Sequence, residues 1–509
     1  MASRWASGAR QFLAMGLAVS ALTTQIRADV KLPNVFSDHM VLQQGQKNKV
    51  WGRADAGESV TVSINGQSQT TTAAADGSWQ VMLDPIPVGG PYGMLVKGKT
   101  EVKISDILVG EVWVCSGQSN MQWSVNLAND PDLERLAANF PKIRMINFPQ
   151  VGTQEALWSH DDRKWLVTTP ENVGGFSAVG YFFARQIYQT LGVPVGMINN
   201  AWGGSACEAW VKRDLLAADE KYSALLERWG QIESRHNELV AKGDSLSDAE
   251  KKELTALKGQ LAGNHRPANI YNGVLKSHLG YGIKGAIWYQ GESNASRAYQ
   301  YRDLFPLMIQ SWRDEWGQGD FSFYWVQLAD FMNEQPQPTD SAWAELREAQ
   351  TMTMSRLPKT GEAVIIDIGE GKDIHPKNKV DVGRRLARWA LAKDYGVAVP
   401  YHSPQYKSMT AKDNKIVLTF DYVDSGWRPF DVKELRGFAI AGEDKKFHWA
   451  TATILPDNTI EVSSDQVAEP VAVRYGWADN PIVNVFSGAG LPLTPFRTDD
   501  WPGVTANNK

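Results

Sequence analysis

Apolar and polar residues alternate over Glu58-Ser-Val-Thr-Val-Ser-Ile64, the two-residue period of a half-buried strand, and Asn65-Gly66 and Asp76-Gly77 supply hairpin turns close behind. Residues 29–108 therefore read as a small β-sandwich-like module, either a support for the rest of the chain or a sugar-binding unit. From 109 to 400 the pattern changes. Continuous apolar runs such as Ile107 to Val114 alternate with segments of helical spacing such as Val179 to Tyr188 and Val380 to Lys393. Runs without a polar face belong to buried strands, so this region predicts a largely parallel sheet with helices on both faces. Residues 214–263 interrupt it. Leu225, Leu226, Trp229, Ile232, Leu239 and Val240 recur there at helical spacing, and the capping-box pattern Ser247-Asp-Ala-Glu250 precedes Leu254, Leu257 and Leu261. A helical hairpin is predicted: a peripheral pair, a lid or an oligomer contact. Beyond 401 short strand patterns return, at Lys415 to Phe420, Thr459 to Val462 and Val471 to Tyr475, and residues 401–509 read as a second β module.

Composition adds bounds rather than a function. The chain has 509 residues, 43% hydrophobic and 21% charged, which predicts more than one domain with sizeable cores. Its net charge of -5 argues against nucleic acid or an anionic membrane as a general partner. Arg4 and Arg10 stand ahead of an apolar stretch from Phe12 to Leu22, with small residues towards Ala28, so residues 1–28 read as a secretory signal and the mature chain as exported, to the periplasm or the medium. No later segment is apolar and long enough to span a bilayer. Cys115 and Cys207 are the only cysteines, and an oxidising compartment would permit a disulfide, although two buried thiols is the reading favoured here. The 20 tryptophans exceed what cores usually need; most read as structural, and flat indole faces also suit sugars.

Chemistry concentrates where apolar strands end. Ile107 to Val114 leads into Gly117-Gln-Ser-Asn120, which presents Ser119 as a candidate nucleophile on a turn. Val195-Gly-Met-Ile-Asn-Asn-Ala-Trp-Gly-Gly-Ser205 ends in a glycine turn, whose Gly204 amide, with Gly203 in reserve, could receive an oxyanion. Lys284-Gly-Ala-Ile-Trp-Tyr-Gln-Gly-Glu-Ser-Asn294 carries an amide side chain at its exit, Gln290 or alternatively Asn294, as a further oxyanion donor. Glu362-Ala-Val-Ile-Ile-Asp-Ile-Gly-Glu-Gly-Lys-Asp-Ile-His-Pro376 delivers Asp373 and His375. Serine is a poor nucleophile at neutral pH, so an imidazole must take its proton. No metal and no cofactor is called for.

These segments resemble the SGNH hydrolase superfamily, specifically the sialate O-acetylesterase group and its bacterial carbohydrate-esterase relatives. Phe36-Ser-Asp-His-Met-Val-Leu-Gln-Gln44, Arg266-Pro-Ala-Asn-Ile-Tyr-Asn-Gly273 and His375-Pro-Lys-Asn-Lys-Val-Asp-Val-Gly-Arg-Arg-Leu386 extend the resemblance over most of the chain, in the order that family shows. It implies an SGNH-hydrolase-like three-layer α/β/α domain flanked by β modules, and removal of O-acetyl groups from sugars through an acetyl-enzyme on Ser119. The broader superfamily sets aspartate three residues before histidine, whereas here the spacing is two. Asp373 is the first choice to orient His375, and Asp367, Glu370, a water or a backbone carbonyl are the alternatives. A sialate substrate would need a partner for its carboxylate, for which Arg297 and Arg213 are the candidates, whereas acetylated xylan or pectin would favour an open aromatic groove. Two other classes compete: a glycoside hydrolase using two acids among Glu292, Glu370 and Asp373, which no pattern pairs, and a sugar-binding protein without activity, against which the retained Ser119, Gly204, Gln290 and His375 argue.

Overall fold

The computed structural model describes residues 29–509; the stretch read as a secretory signal lies outside them. At its centre seven strands, β1 (Glu101–Gly117), β2 (Phe140–Asn147), β3 (Trp165–Thr168), β4 (Val195–Asn199), β5 (Gly285–Tyr289), β6 (Ser322–Val326) and β7 (Thr360–Ala363), lie in the order β7-β6-β5-β1-β4-β2-β3. Neighbours are parallel, except that β3 joins β2 antiparallel at one edge. The chain moves outward from β1 in both directions, which makes its carboxyl end the switch point where open α/β sheets place their crevice. Register brings the exits together there: Asn199 pairs with Cys115, and Tyr289 with Gly117.

Pleating sorts the buried strands between two helical layers. Ala286, Trp288, Phe323 and Trp325 face α4 (Ala298–Trp316) and α5 (Ala342–Met352), whereas Ile287, Tyr289, Tyr324 and Val326 face α1 (Ala178–Leu191) and α6 (Lys379–Lys393). This is the expected three-layer α/β/α arrangement. Helix α1 begins where Ser177 Oγ accepts the Gly180 N–H (3.1 Å) and ends at Gly192, whose φ of 72° is the left-handed stop that glycine adopts freely. Trp288 meets Trp312 edge to face at 5.8 Å, and Trp113, Trp165, Trp210 and Trp325 are equally buried, so much of the tryptophan content is core. Cys115 and Cys207 are free, buried thiols, both pushed up in pKa by burial.

The N-terminal β region is continuous with this core. Strand β1 passes through residue 108 without a break, pairing first with Gly89–Lys97 and Val41–Gln43 and then with β4 and β5. Asn65 and Gly66 form the predicted hairpin turn between Ser59–Ile64 and Gln67–Thr72, both with positive φ. Asp76-Gly77 does something different. It leads from Gln67–Thr72 to Ser78–Leu83, which pairs with Asn48–Arg53 in a separate sheet, so that turn crosses between sheets. Beyond residue 401, two four-stranded sheets close over Leu418, Ile440, Ile460 and Val473. Arg497 grips Glu348 of α5, and the fully buried Arg347 donates to the Ala478 and Asp479 carbonyls, which fastens the tail to the helical layer.

The interrupting segment forms α2 (Ser223–Lys242) and α3 (Asp248–Leu261). Ser247 and Glu250 make the reciprocal capping box, and Arg235 bridges to Glu253 across the pair. Leu225 and Leu239 are the buried side chains of α2, and α3 buries none; Val240 is 51% exposed. Among the described residues no helix is long and apolar enough to cross a membrane.

Candidate active site

Gly117 ends β1 in a conformation with φ of 126°, and a Cβ there would lie 2.2 Å from the Tyr289 carbonyl oxygen. Glycine thus lets the exits of β1 and β5 touch. The Gln118 N–H then donates to the Tyr289 carbonyl (2.8 Å), Gln118 Oε1 accepts from the Gly291 N–H (3.1 Å), and Ser119 opens a single helical turn, Ser119–Gln122. Its Oγ lies 2.8 Å from His375 Nε2. The imidazole arrives on the loop between β7 and α6 and stacks on Trp123, with centroids 4.5 Å apart and planes 11° from parallel. Trp123 is itself fixed by its Nε1–H, which donates to the Leu127 carbonyl (2.8 Å). Burial holds His375 below the usual histidine range, Lys379 adds to that, and Asp373 opposes it.

Asp373 is the carboxylate beside the ring, yet its Oδ1 is 3.7 Å from Nδ1, beyond hydrogen-bond reach. That oxygen accepts the backbone N–H of His375 instead (2.9 Å), which pins the loop rather than the ring. The alternatives lie elsewhere: Asp367 is clasped by Arg385 at 2.6 and 2.7 Å, and Glu370 accepts from the Lys377 N–H. Glu292 is half-buried and accepts from Asn120 Nδ2 (2.7 Å). The two-residue spacing explains this geometry, because the aspartate turns back on its own loop before it reaches Nδ1.

The glycine turn lies against the nucleophile. A Cβ on Gly203 would sit 3.3 Å from Ser119 Cβ, and the Gly203 N–H is already given to Gln122 Oε1 (2.7 Å). Gly204 follows at φ of 72°, its carbonyl accepting from His265 Nε2 and Ser293 Oγ. Asn264 and His265, just past α3, therefore brace the turn from outside. Gln290 and Asn294 correct the expectation of an amide oxyanion donor. Gln290 continues the pleat of Trp288, faces α4, and spends Nε2 on the Ser205 carbonyl and Asn294 Oδ1 while Oε1 accepts from Tyr301. Asn294 donates to Glu208. Both amides support the turn from behind and neither is turned to Ser119.

Ser119 and His375 line a cleft of about 660 Å³, with Trp123, Leu127, Phe148 and Arg163 on its walls. Arg297 and Arg213, expected near an acidic substrate, are not among its walls. Arg297 is paired with the buried Glu208 and with Gln300, and Arg213 is held bidentately by Glu233. Arg163 is the cleft's guanidinium, 42% exposed, its carboxylate contact being neighbouring Asp162 at 3.4 Å. Neither Arg163 nor Trp123 was legible as a site residue; Trp123 had a signal, since it lies four residues past the nucleophile.

A family model described as carbohydrate esterase, sialic acid-specific acetylesterase, matches residues 109–243 and 264–392, and omits the stretch holding α3. The sialate O-acetylesterase of Mus musculus is 28% identical over 92% of this chain and 94% of its own, and that of Homo sapiens 27% over 94% of each. A crystal structure of a carbohydrate acetylesterase from Xanthomonas citri is 38% identical and superposes with a TM-score of 0.80, covering 93% of this chain and 100% of that one.

Proposed function

This chain belongs to the carbohydrate esterase family of sialic acid-specific acetylesterases, and from that premise we propose that it deacetylates O-acetylated sialic acids by a serine mechanism. It is a carboxylic ester hydrolase acting on acetylated sugars. The observation that carries the mechanism is the 2.8 Å contact between Ser119 Oγ and His375 Nε2 on the cleft. Oγ attacks the acetyl carbonyl carbon as its proton passes to Nε2. The oxyanion is received by the amides of Ser119, which heads its helical turn, and of Gly204. Nε2–H then protonates the departing sugar oxygen and leaves an acetyl group on Ser119. Water, giving a proton to the same nitrogen, releases acetate and restores the hydroxyl. Asp373 stabilises the imidazolium through space from 3.7 Å.

The choice of sialate over a neutral acetylated polysaccharide is supported by Arg163, a part-exposed cation on the cleft wall whose ion-pair partner is the exposed neighbour Asp162. Acetate release from O-acetylated sialic acid and from acetylated xylan, measured side by side, tests it. Replacing Arg163 with methionine is expected to raise KM for the sialate about tenfold and KM for xylan by less than about twofold. Faster turnover of xylan, with the sialate KM unmoved in the variant, would reassign the substrate to a neutral sugar.

Export is the remaining part of the reading, supported by Arg4, Arg10 and the apolar stretch from Phe12 to Leu22. Intact mass and N-terminal sequencing of the protein secreted by its host should read Asp29 first. A cell-retained product that begins at Met1 would remove the proposal.

A further inference from the structure

One buried side chain ties the backbone next to Ser119 to the backbone next to His375. Asn120 is the residue after the nucleophile, and its Nδ2 donates to the carbonyl of Ile374, the residue before the base (3.0 Å). The same nitrogen donates to Glu292 Oε1 (2.7 Å) on the turn after β5, and Oδ1 accepts from Lys379 Nζ (2.6 Å) at the start of α6. Both amide hydrogens and the amide oxygen are engaged, so the group has one orientation. Asn120 is 1% exposed and Lys379 fully buried.

The flanking charges are costly to keep there. Lys379 has no carboxylate within ion-pair distance among the described residues, and Glu292 Oε2 has no hydrogen-bond partner among them. The Lys379 ammonium lies 5.4 Å above the Tyr289 ring and 6.0 Å from the centre of the Trp123 ring, the one stacked on His375. Burial lowers Lys379 to about 7, against the pull of Glu292, Asp373 and Glu370, and burial raises Glu292. An apolar pair of the same size would satisfy the core at less cost. Meanwhile the bond that ordinarily fixes a catalytic imidazole is missing, since Asp373 stops 3.7 Å short of Nδ1.

We propose that Asn120, clamped between Lys379 and Glu292, is the positioning residue that keeps Ser119 and His375 in register, the task a carboxylate bonded to the imidazole performs in other serine hydrolases. The proposal rests on Ser119 and His375 being the reacting pair. Lys379 acts through the amide and through its charge. The charged groups facing His375 are Lys379 and Asp373, and those facing Lys379 are Glu292, Asp373 and Glu370. An ammonium beside the ring disfavours imidazolium, so the base stays neutral to lower pH.

Acetate release by the full chain, followed against pH, tests this with Asn120→Ala, Lys379→Met and Asp373→Asn beside Ser119→Ala. Asn120→Ala is expected to lower kcat about 100-fold with KM within about twofold of the parent, and to cost more than Asp373→Asn. Lys379→Met removes the buried charge and keeps the length of the side chain, and gives a second, independent readout should Asn120→Ala not fold. Without the ammonium, His375 protonates more readily, and the acid limb of kcat/KM moves to higher pH; a purely structural lysine would leave that limb in place. An unmoved limb, or an Asp373→Asn loss of about 10,000-fold, overturns the proposal and returns the task to Asp373. Activity surviving in Ser119→Ala would remove the serine reading itself, a separate result.

Discussion

Replacing Ser119 with alanine is expected to lower kcat for acetate release by about 100,000-fold and to leave KM near the parent value. The size follows from what the change deletes and what it spares. It deletes the oxygen 2.8 Å from His375 Nε2 and with it the covalent intermediate. It spares the Ser119 and Gly204 amides, the Trp123 stack and Arg163, so ground-state binding of the sugar persists and a residual rate above the uncatalysed one remains. Kinetics on O-acetylated sialic acid give both constants. Acid-quenched parent enzyme should in addition carry an acetyl group on the peptide containing Ser119, and the variant should not. A variant within about tenfold of the parent would place the nucleophile elsewhere.

What could be read from the chain alone divides along a physical line. Ser119 and His375 follow buried strands, and strand exits in a parallel sheet converge at one edge, so local pattern plus topology locates them. Gln290 leaves its strand at the same edge, but its direction is not legible from the strand pattern alone. Side chains alternate across a sheet, and the parity shared by Trp288 and Gln290 sends the amide towards Tyr301 instead of the cleft. Arg213 and Arg297 are near the motifs in sequence, yet each is neutralised by an acid brought to it only by tertiary folding, Glu233 and Glu208. The clamp on Asn120 was invisible for the same reason, since Glu292 and Lys379 are 172 and 259 residues away from it. Local signals served the β regions unevenly. Alternation at Ser59–Ile64 and Lys415–Asp421 shows in their burial, but strands of two to four residues, such as Phe496–Arg497, are too short to display a period.

His375→Ala should match Ser119→Ala, a loss of about 100,000-fold in kcat, because without a base the hydroxyl stays protonated and its nucleophilicity is lost. The double variant Ser119→Ala/His375→Ala should be no slower than either single one, since each already disables the same proton-coupled attack. Independent roles would instead multiply the losses, and a double variant slower by the product of the two would show that the 2.8 Å contact is not the reacting one. The pH profile of the parent carries the same assignment. His375 works as a base only while neutral, and burial, reinforced by Lys379, holds its pKa below the ordinary histidine range despite the opposing Asp373. The acid limb of kcat/KM therefore falls at lower pH than an exposed histidine would give, and activity persists into mildly acidic solution. A limb above the ordinary histidine value would mean that imidazolium is favoured in the free enzyme, as a close carboxylate on Nδ1 would make it, and the 3.7 Å gap to Asp373 would then have to close before catalysis.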